Sequence, residues 1–226
     1  MKLVIACVAV LFLASALAKP GKKKKPSIAD SFIEAGFVEL LNISAPTTML
    51  QVTFNDGEIE MNMGNYIRPD LAVDPEIGGC EEESERYMTF MYGDVNYDNA
   101  DPEENPECIR TLLLGLKVNV KDLCDPESGD VLAKTISHSP RPGSGEHAYF
   151  IYVLEQKEWI DASCLNYEDK RINFPVADFV TENNLCDPEA GNYYLTSYPD
   201  VEEVCEEICE EQNQENQYYK YKSKRN

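Results

Sequence analysis

Residues 139–156 read SPRPGSGEHAYFIYVLEQ, and the stretch changes character half-way. Pro140, Gly143 and Gly145 punctuate its first half. Proline withholds a backbone N–H and glycine has the largest backbone entropy to lose, so this half forms a loop and no helix. From His147 onward the run HAYFIYVLEQ (147–156) is apolar and aromatic, as a buried strand requires. A strand has period two, so His147 and Tyr149 share one face. One of only two histidines in the chain therefore stands where a loop delivers a strand. The other, His138, is a lone loop residue with no assigned role.

Working outward, TMLQVTF (48–54) reads as a strand, NDG (55–57) as a turn and EIEMNMGNYI (58–67) as a second strand. RYMTFMY (86–92) is a third, and RTLLLGLKVNV (110–120) a fourth, apolar enough to be central. Residues 27–42 predict a short amphipathic helix entering a loop. Helical period returns near the C-terminus. Val201, Val204, Cys205, Ile208 and Cys209 form one apolar stripe, glutamates cover the other face, and Asp200 is placed to cap. The expectation is one mostly β domain over 27–212, with a few helices and an acidic C-terminal helix over 200–212.

The ends differ from this body. Lys2 precedes LVIACVAVLFLASALA, with Ala16 and Ala18 at the −3 and −1 positions of a cleavage site. Residues 1–18 thus read as a signal peptide, too short and too small-ended for a membrane anchor. Residues 19–26 (KPGKKKKP) form a basic tail and residues 213–226 a polar, basic one. The protein is expected outside the cell, with no transmembrane segment.

An oxidising compartment makes the remaining cysteines disulfide candidates: Cys80, Cys108, Cys124, Cys164, Cys186, Cys205 and Cys209. Their number is odd, so one is free or pairs between chains. No cysteine pair has zinc-site spacing, and none neighbours a histidine. Asn42-Ile43-Ser44 is a glycosylation sequon. The chain carries 41 acidic and 20 basic residues, a net charge of −21. Such a body repels nucleic acid and anionic membranes, and it suits cations, basic proteins or plain solubility.

Other chemistries find less support. Residues 94–105 begin like a calcium loop at Asp94, Asn96 and Asp98, but Asn99 and Asn105 replace the required Gly and Glu. Ser144 lies between glycines, yet no strand-turn-helix context makes it a nucleophile elbow. No metalloprotease, Walker or dinucleotide motif occurs. The expectation is a non-enzymatic protein without a metal or cofactor.

Four segments in order resemble the phosphatidylethanolamine-binding protein family, across roughly residues 30–200. They are SFIEAGFVELLNISAPTTMLQVTF, MGNYIRPDLAVDPEI, SPRPGSGEHAYFIYVLEQ and RINFPVADFVTENNLCDPEAGNYY. The resemblance implies a large central β-sheet with a smaller flanking sheet, a few peripheral helices and an anion pocket at one edge. It implies that Pro140, Gly143 and Gly145 shape a loop, that His147 donates to the anion, and that Tyr149 forms a wall. Where the family carries DPDAPSR…HH, this chain reads GDVNYDNADPEENPECIRT. Asp94 keeps one acidic position, and the histidine pair falls at Arg110 and Thr111. Arg110 is therefore expected to converge with His147 on a phosphate or phospholipid head group, or the surface to serve a protein partner. The alternatives are an acidic extracellular scaffold binding calcium and a protease inhibitor.

Overall fold

A computed structural model describes residues 26–79, 85–95, 110–125, 128–137, 140–141 and 143–198. The signal peptide, nearly all of the basic tail, the helix over 200–212 and the tail over 213–226 fall outside these residues. So do Cys80, Cys108, Cys205 and Cys209.

The quoted stretch becomes strand β9, Glu146–Gln156. Its side chains alternate between two buried layers: Tyr149, Ile151 and Val153 on one side, Phe150, Tyr152 and Leu154 on the other. A strand apolar on both faces belongs inside a sheet covered on both sides. It lies between β6 (Tyr87–Val95) and β10 (Leu185–Ser197), antiparallel to both. With β1 (Thr48–Met49), β7 (Thr111–Val120) and β8 (Asp130–Ala133), the sheet order is β1-β10-β9-β6-β7-β8. Strand β4 (Asn65–Tyr66) also pairs with β10, in parallel.

Helices α1 (Ile28–Glu34), α2 (Phe37–Leu41) and α3 (Val176–Glu182) cover one face. Phe32, Phe37 and Phe179 pack there in one core with Phe150, Tyr152 and Tyr193. Ring centroids of Phe32 and Phe37 lie 5.3 Å apart, and those of Phe37 and Phe150 6.0 Å, the separation aromatic pairs prefer. The smaller sheet covers the other face, in the order β3 (Ile59–Glu60), β2 (Gln51–Phe54), β5 (Glu76–Gly78). Val52, Phe54, Met61 and Ile67 seal it onto Tyr149, Ile151 and Tyr194. The mostly β architecture with two sheets and few helices is as expected. Among the described residues no helix is long and apolar enough to cross a membrane.

Local expectations were met unevenly. The helix over 27–42 is two helices. Ser27 and Asp30 form a reciprocal capping box on the first, and Gly36 breaks the run at φ +82°. Residues 48–54 split at Leu50, because β1 joins the large sheet and β2 the small one. The segment 58–67 divides likewise into β3 and β4. Asn192 of β10 holds both crossings. Its Nδ2 donates to the carbonyls of Leu50 and Met61 at 2.8 Å each, and its Oδ1 accepts from Met63 N at 2.9 Å. Gly64, at φ +90°, passes so close that a Cβ there would lie 2.7 Å from the Tyr193 ring.

The longest strand, β10, was not predicted as a strand. Its thirteen residues contain Asp187, Pro188 and Gly191, which read as loop punctuation. Register shifts flank Pro188, and such an irregularity tolerates a residue without an N–H.

Two of the disulfide candidates are corrected and one is borne out. Cys124 is disulfide-bonded, whereas Cys164 and Cys186 are free thiols. Cys164 lies in a short 3-10 helix (Ala162–Cys164) against β8, and Cys186 on β10. Those strands are four positions apart in the sheet, roughly 19 Å at strand spacing. A disulfide requires Cα atoms roughly 5.5 Å apart.

Candidate functional site

Strand pairing assembles the site. Asp94 is opposite Tyr149, Tyr149 opposite Tyr194, and His147 opposite Thr196. Directly paired residues share a face, so β6, β9 and β10 place these five side chains at one end of the sheet, facing the smaller sheet. Asp94 and His147 are fully buried, and Tyr149 is inaccessible.

His147 Nδ1 lies 2.8 Å from Asp94 Oδ2, and His147 Nε2 lies 2.8 Å from Ser144 Oγ. The Ser144 hydroxyl also donates to the Arg141 carbonyl at 2.7 Å. Burial pushes the Asp94 carboxyl up to about 6, opposed by the hydrogen bond and charge of His147. Asp94 Oδ1 and Thr196 Oγ1 are buried with no hydrogen-bond partner, although buried polar atoms are nearly always paired.

Tyrosines pack around these groups. Tyr149 stands edge-on to Tyr194 at 5.0 Å, to Tyr92 at 6.3 Å and to His147 at 6.3 Å between ring centroids. The Tyr92 and Tyr194 hydroxyls bond at 3.0 Å, and burial raises both well above the ordinary phenol value. The loop before β9 lies beside His147 through Ser144. Pro140 is buried, and Gly143 and Gly145 turn the chain at φ +78° and +77°.

The structure therefore brings Asp94, His147 and Tyr149 together, with the loop of Pro140, Gly143 and Gly145 beside them. Arg110 shares no hydrogen bond or ion pair with them among the described residues. Arg110 is exposed, its backbone N–H donates to Asn173 Oδ1 at 2.8 Å, and it borders a cavity of about 360 Å³ with Leu40, Phe174 and Asp178. Among the described residues nothing joins it to His147 or Asp94. Thr111 Oγ1 donates to the Phe174 carbonyl at 3.2 Å, which ties the start of β7 to the segment leading into α3.

Sequence reasoning weighed Ser144 only as a nucleophile elbow and set it aside, and it passed over Thr196, Tyr92 and Tyr194. Ser144 was visible, three residues before His147. The others become legible only through strand register. No cluster of three potential metal ligands occurs among the described residues. Residues 96–105 of the acidic loop lie outside them.

The fold has counterparts. In solved structures the chain matches a carboxypeptidase Y inhibitor complexed with its cognate proteinase at TM-score 0.61 and 16% identity, over 76% of this chain and 95% of the other. It matches the phosphatidylethanolamine-binding protein from Plasmodium vivax at TM-score 0.55 and 15% identity, over 77% and 98%. The chain has the phosphatidylethanolamine-binding protein fold. A phosphatidylethanolamine-binding protein from Plasmodium falciparum agrees at TM-score 0.53 and 11% identity, over 77% and 99%. By sequence the chain is 27% identical over 168 residues to a 26 kDa secreted antigen of Toxocara canis. The match takes in 72% of this chain and spans 62% of that relative's length. No family model matches the sequence.

Proposed function

We propose that this is a secreted binding protein whose small ligand binds at the Asp94–His147 end of the large sheet. One observation carries the reading. A buried histidine is fixed from below by a carboxylate while two neighbouring buried polar atoms lack partners. A phosphate-like group there would meet the Ser144 hydroxyl, the loop amides and the His147 imidazole, with Asp94 balancing an imidazolium. The unpartnered Asp94 Oδ1 calls for a donor, which a protonated phosphate oxygen or the ammonium of a zwitterionic head group supplies. The likeness to phosphatidylethanolamine-binding structures supports this ligand class, and the signal sequence and the secreted relative support export.

The test is thermal stability against phosphoethanolamine, inorganic phosphate and calcium. Ligand at a hundred times its Kd adds about 2.7 kcal/mol to stability. Stabilisation by the phosphorylated compounds that disappears in His147→Ala is expected. Stabilisation by calcium alone would favour the acidic scaffold instead. The carboxypeptidase Y inhibitor neighbour favours a second reading, protease inhibition. Titration against a serine carboxypeptidase checks it.

A further inference from the structure

Ligand binding leaves the linear order of three side chains without a purpose. Ser144 Oγ, His147 Nε2, His147 Nδ1 and Asp94 Oδ2 form a chain with 2.8 Å at each hydrogen bond. We propose that Ser144 is a nucleophile, activated by His147 and held in line by Asp94, that hydrolyses small activated carboxylic esters. This goes beyond the binding reading and against the non-enzymatic expectation drawn from the sequence.

The arrangement has the parts such chemistry needs. Serine–histidine–carboxylate sets are recognised by geometry and role, and they recur on unrelated folds. Here the absence of a strand-turn-helix elbow is therefore no objection. With Asp94 ionised, Nδ1–H donates to it, and the Nε2 lone pair faces the serine hydroxyl. That hydroxyl has two acceptors within bonding distance, the Arg141 carbonyl and Nε2, so its proton can change partner without the oxygen moving.

Accessibility grades in the right direction. Asp94 and His147 are buried and Ser144 is half-buried, so the nucleophile is the member of the set that meets solvent. Ser144 sits at the tip of a tight turn between two glycines in the left-handed region, and open space surrounds the Cβ position of Gly143. The N–H of Gly145, next after the nucleophile, makes no hydrogen bond among the described residues, which leaves it a donor for a developing oxyanion. The unpartnered Asp94 Oδ1 is an independent sign that this end of the sheet is built for more than packing.

In the first step Ser144 Oγ attacks the acyl carbon and its proton passes to His147 Nε2. The tetrahedral adduct collapses, the ester C–O bond breaks, and the imidazolium returns the proton to the departing alcohol. Water then gives a proton to Nε2 and attacks the acyl-serine. The carboxylic acid leaves and Oγ recovers its proton. Ser144 and His147 are the catalytic residues, and Asp94 positions the imidazole.

The experiment uses the full secreted chain, a fluorophosphonate probe and p-nitrophenyl acetate. The expected result is a single adduct that peptide mapping places on Ser144, and ester hydrolysis that Ser144→Ala abolishes. Asp94→Asn should slow labelling by roughly 10²–10⁴-fold, the range for losing an organised general base. Ser144→Cys, which leaves the His147–Asp94 pair in place, gives a second measure. Its thiol should react with iodoacetamide faster than exposed Cys164 in the same chain. The proposal is overturned if folded wild type forms no adduct at Ser144, if Ser144→Ala still hydrolyses the ester, or if the introduced thiol reacts no faster than Cys164. Phosphoethanolamine binding, measured separately by calorimetry, has no acyl group to transfer, so the two readings fail independently.

Discussion

Replacing Asp94 by asparagine should make the protein progressively more stable than wild type as pH rises. Burial lifts the folded-state carboxyl from 3.8 to about 6, so the neutral form is the one the fold favours. For a raised pKa the stabilising contribution is full below the unfolded value and is lost as pH climbs through the folded value. That gap of a little over two units corresponds to about 3 kcal/mol. At about pH 8 the wild type bears the whole cost of an ionised, desolvated carboxylate. At about pH 4.5 linkage returns about 2 kcal/mol of it.

Asparagine keeps a carbonyl oxygen for the His147 Nδ1–H and carries no charge at any pH. The difference in unfolding free energy, variant minus wild type, should therefore grow by about 2 kcal/mol between about pH 4.5 and pH 8. In a domain of this size that corresponds to a relative Tm shift of roughly 4–8 °C. Urea unfolding at both pH values, with equal m-values, measures it. Groups that titrate alike in both proteins cancel in the difference. Tyr92 and Tyr194, which face the site, stay neutral throughout because burial raises them. Among the described residues His147 is the hydrogen-bond partner that the substitution alters, and its ring protons followed by NMR in both proteins check that this contact is kept. A difference that stays flat with pH would refute burial as the source of the raised Asp94 value.

Asn192→Ala should cost about 3 kcal/mol in urea unfolding, since it leaves the buried Leu50 and Met61 carbonyls and the Met63 N–H without their partner. Leaving function and pH dependence otherwise intact, it tests the clamp where the chain crosses between sheets. Alkylation of the unreduced, native protein should modify exposed Cys164 and spare disulfide-bonded Cys124; the reverse order would contradict the cysteine assignment. Secreted protein should begin at or near Lys19 and lose mass on removal of a glycan from Asn42, which is exposed at the end of α2. N-terminal sequencing that recovers Met1, or an unchanged mass, would refute the respective halves.

Much of the architecture is carried by short-range pattern. The uniform apolar run of β9 specifies an interior strand, because a strand buried on both faces has no polar side to present. Asn55, Asp56 and Gly57 take positive φ and turn the chain, as their side chains and the missing Cβ favour. His147 was legible as a candidate because its loop and strand are contiguous in sequence. The broken strands over 48–54 and 58–67 were not legible. Their local composition is equally good for either sheet, and the division depends on Asn192, more than a hundred residues away. Strand β10 was hidden for a related reason. Proline and glycine mark turns by local propensity, but pairing with β9 along most of its length overrides it.

The sequence alone determined the layer composition, the loop that delivers β9 and the histidine at their junction, since each rests on neighbours within a few residues. Only the tertiary structure decided what that histidine touches. Register between β6, β9 and β10 sets Asp94 beneath it and Thr196 beside it, and the tight turn brings Ser144 back to its far nitrogen. The same long-range pairing holds Arg110 against the segment before α3. Which polar groups share a desolvated site depends on contacts between distant segments, and spacing along the chain does not encode them.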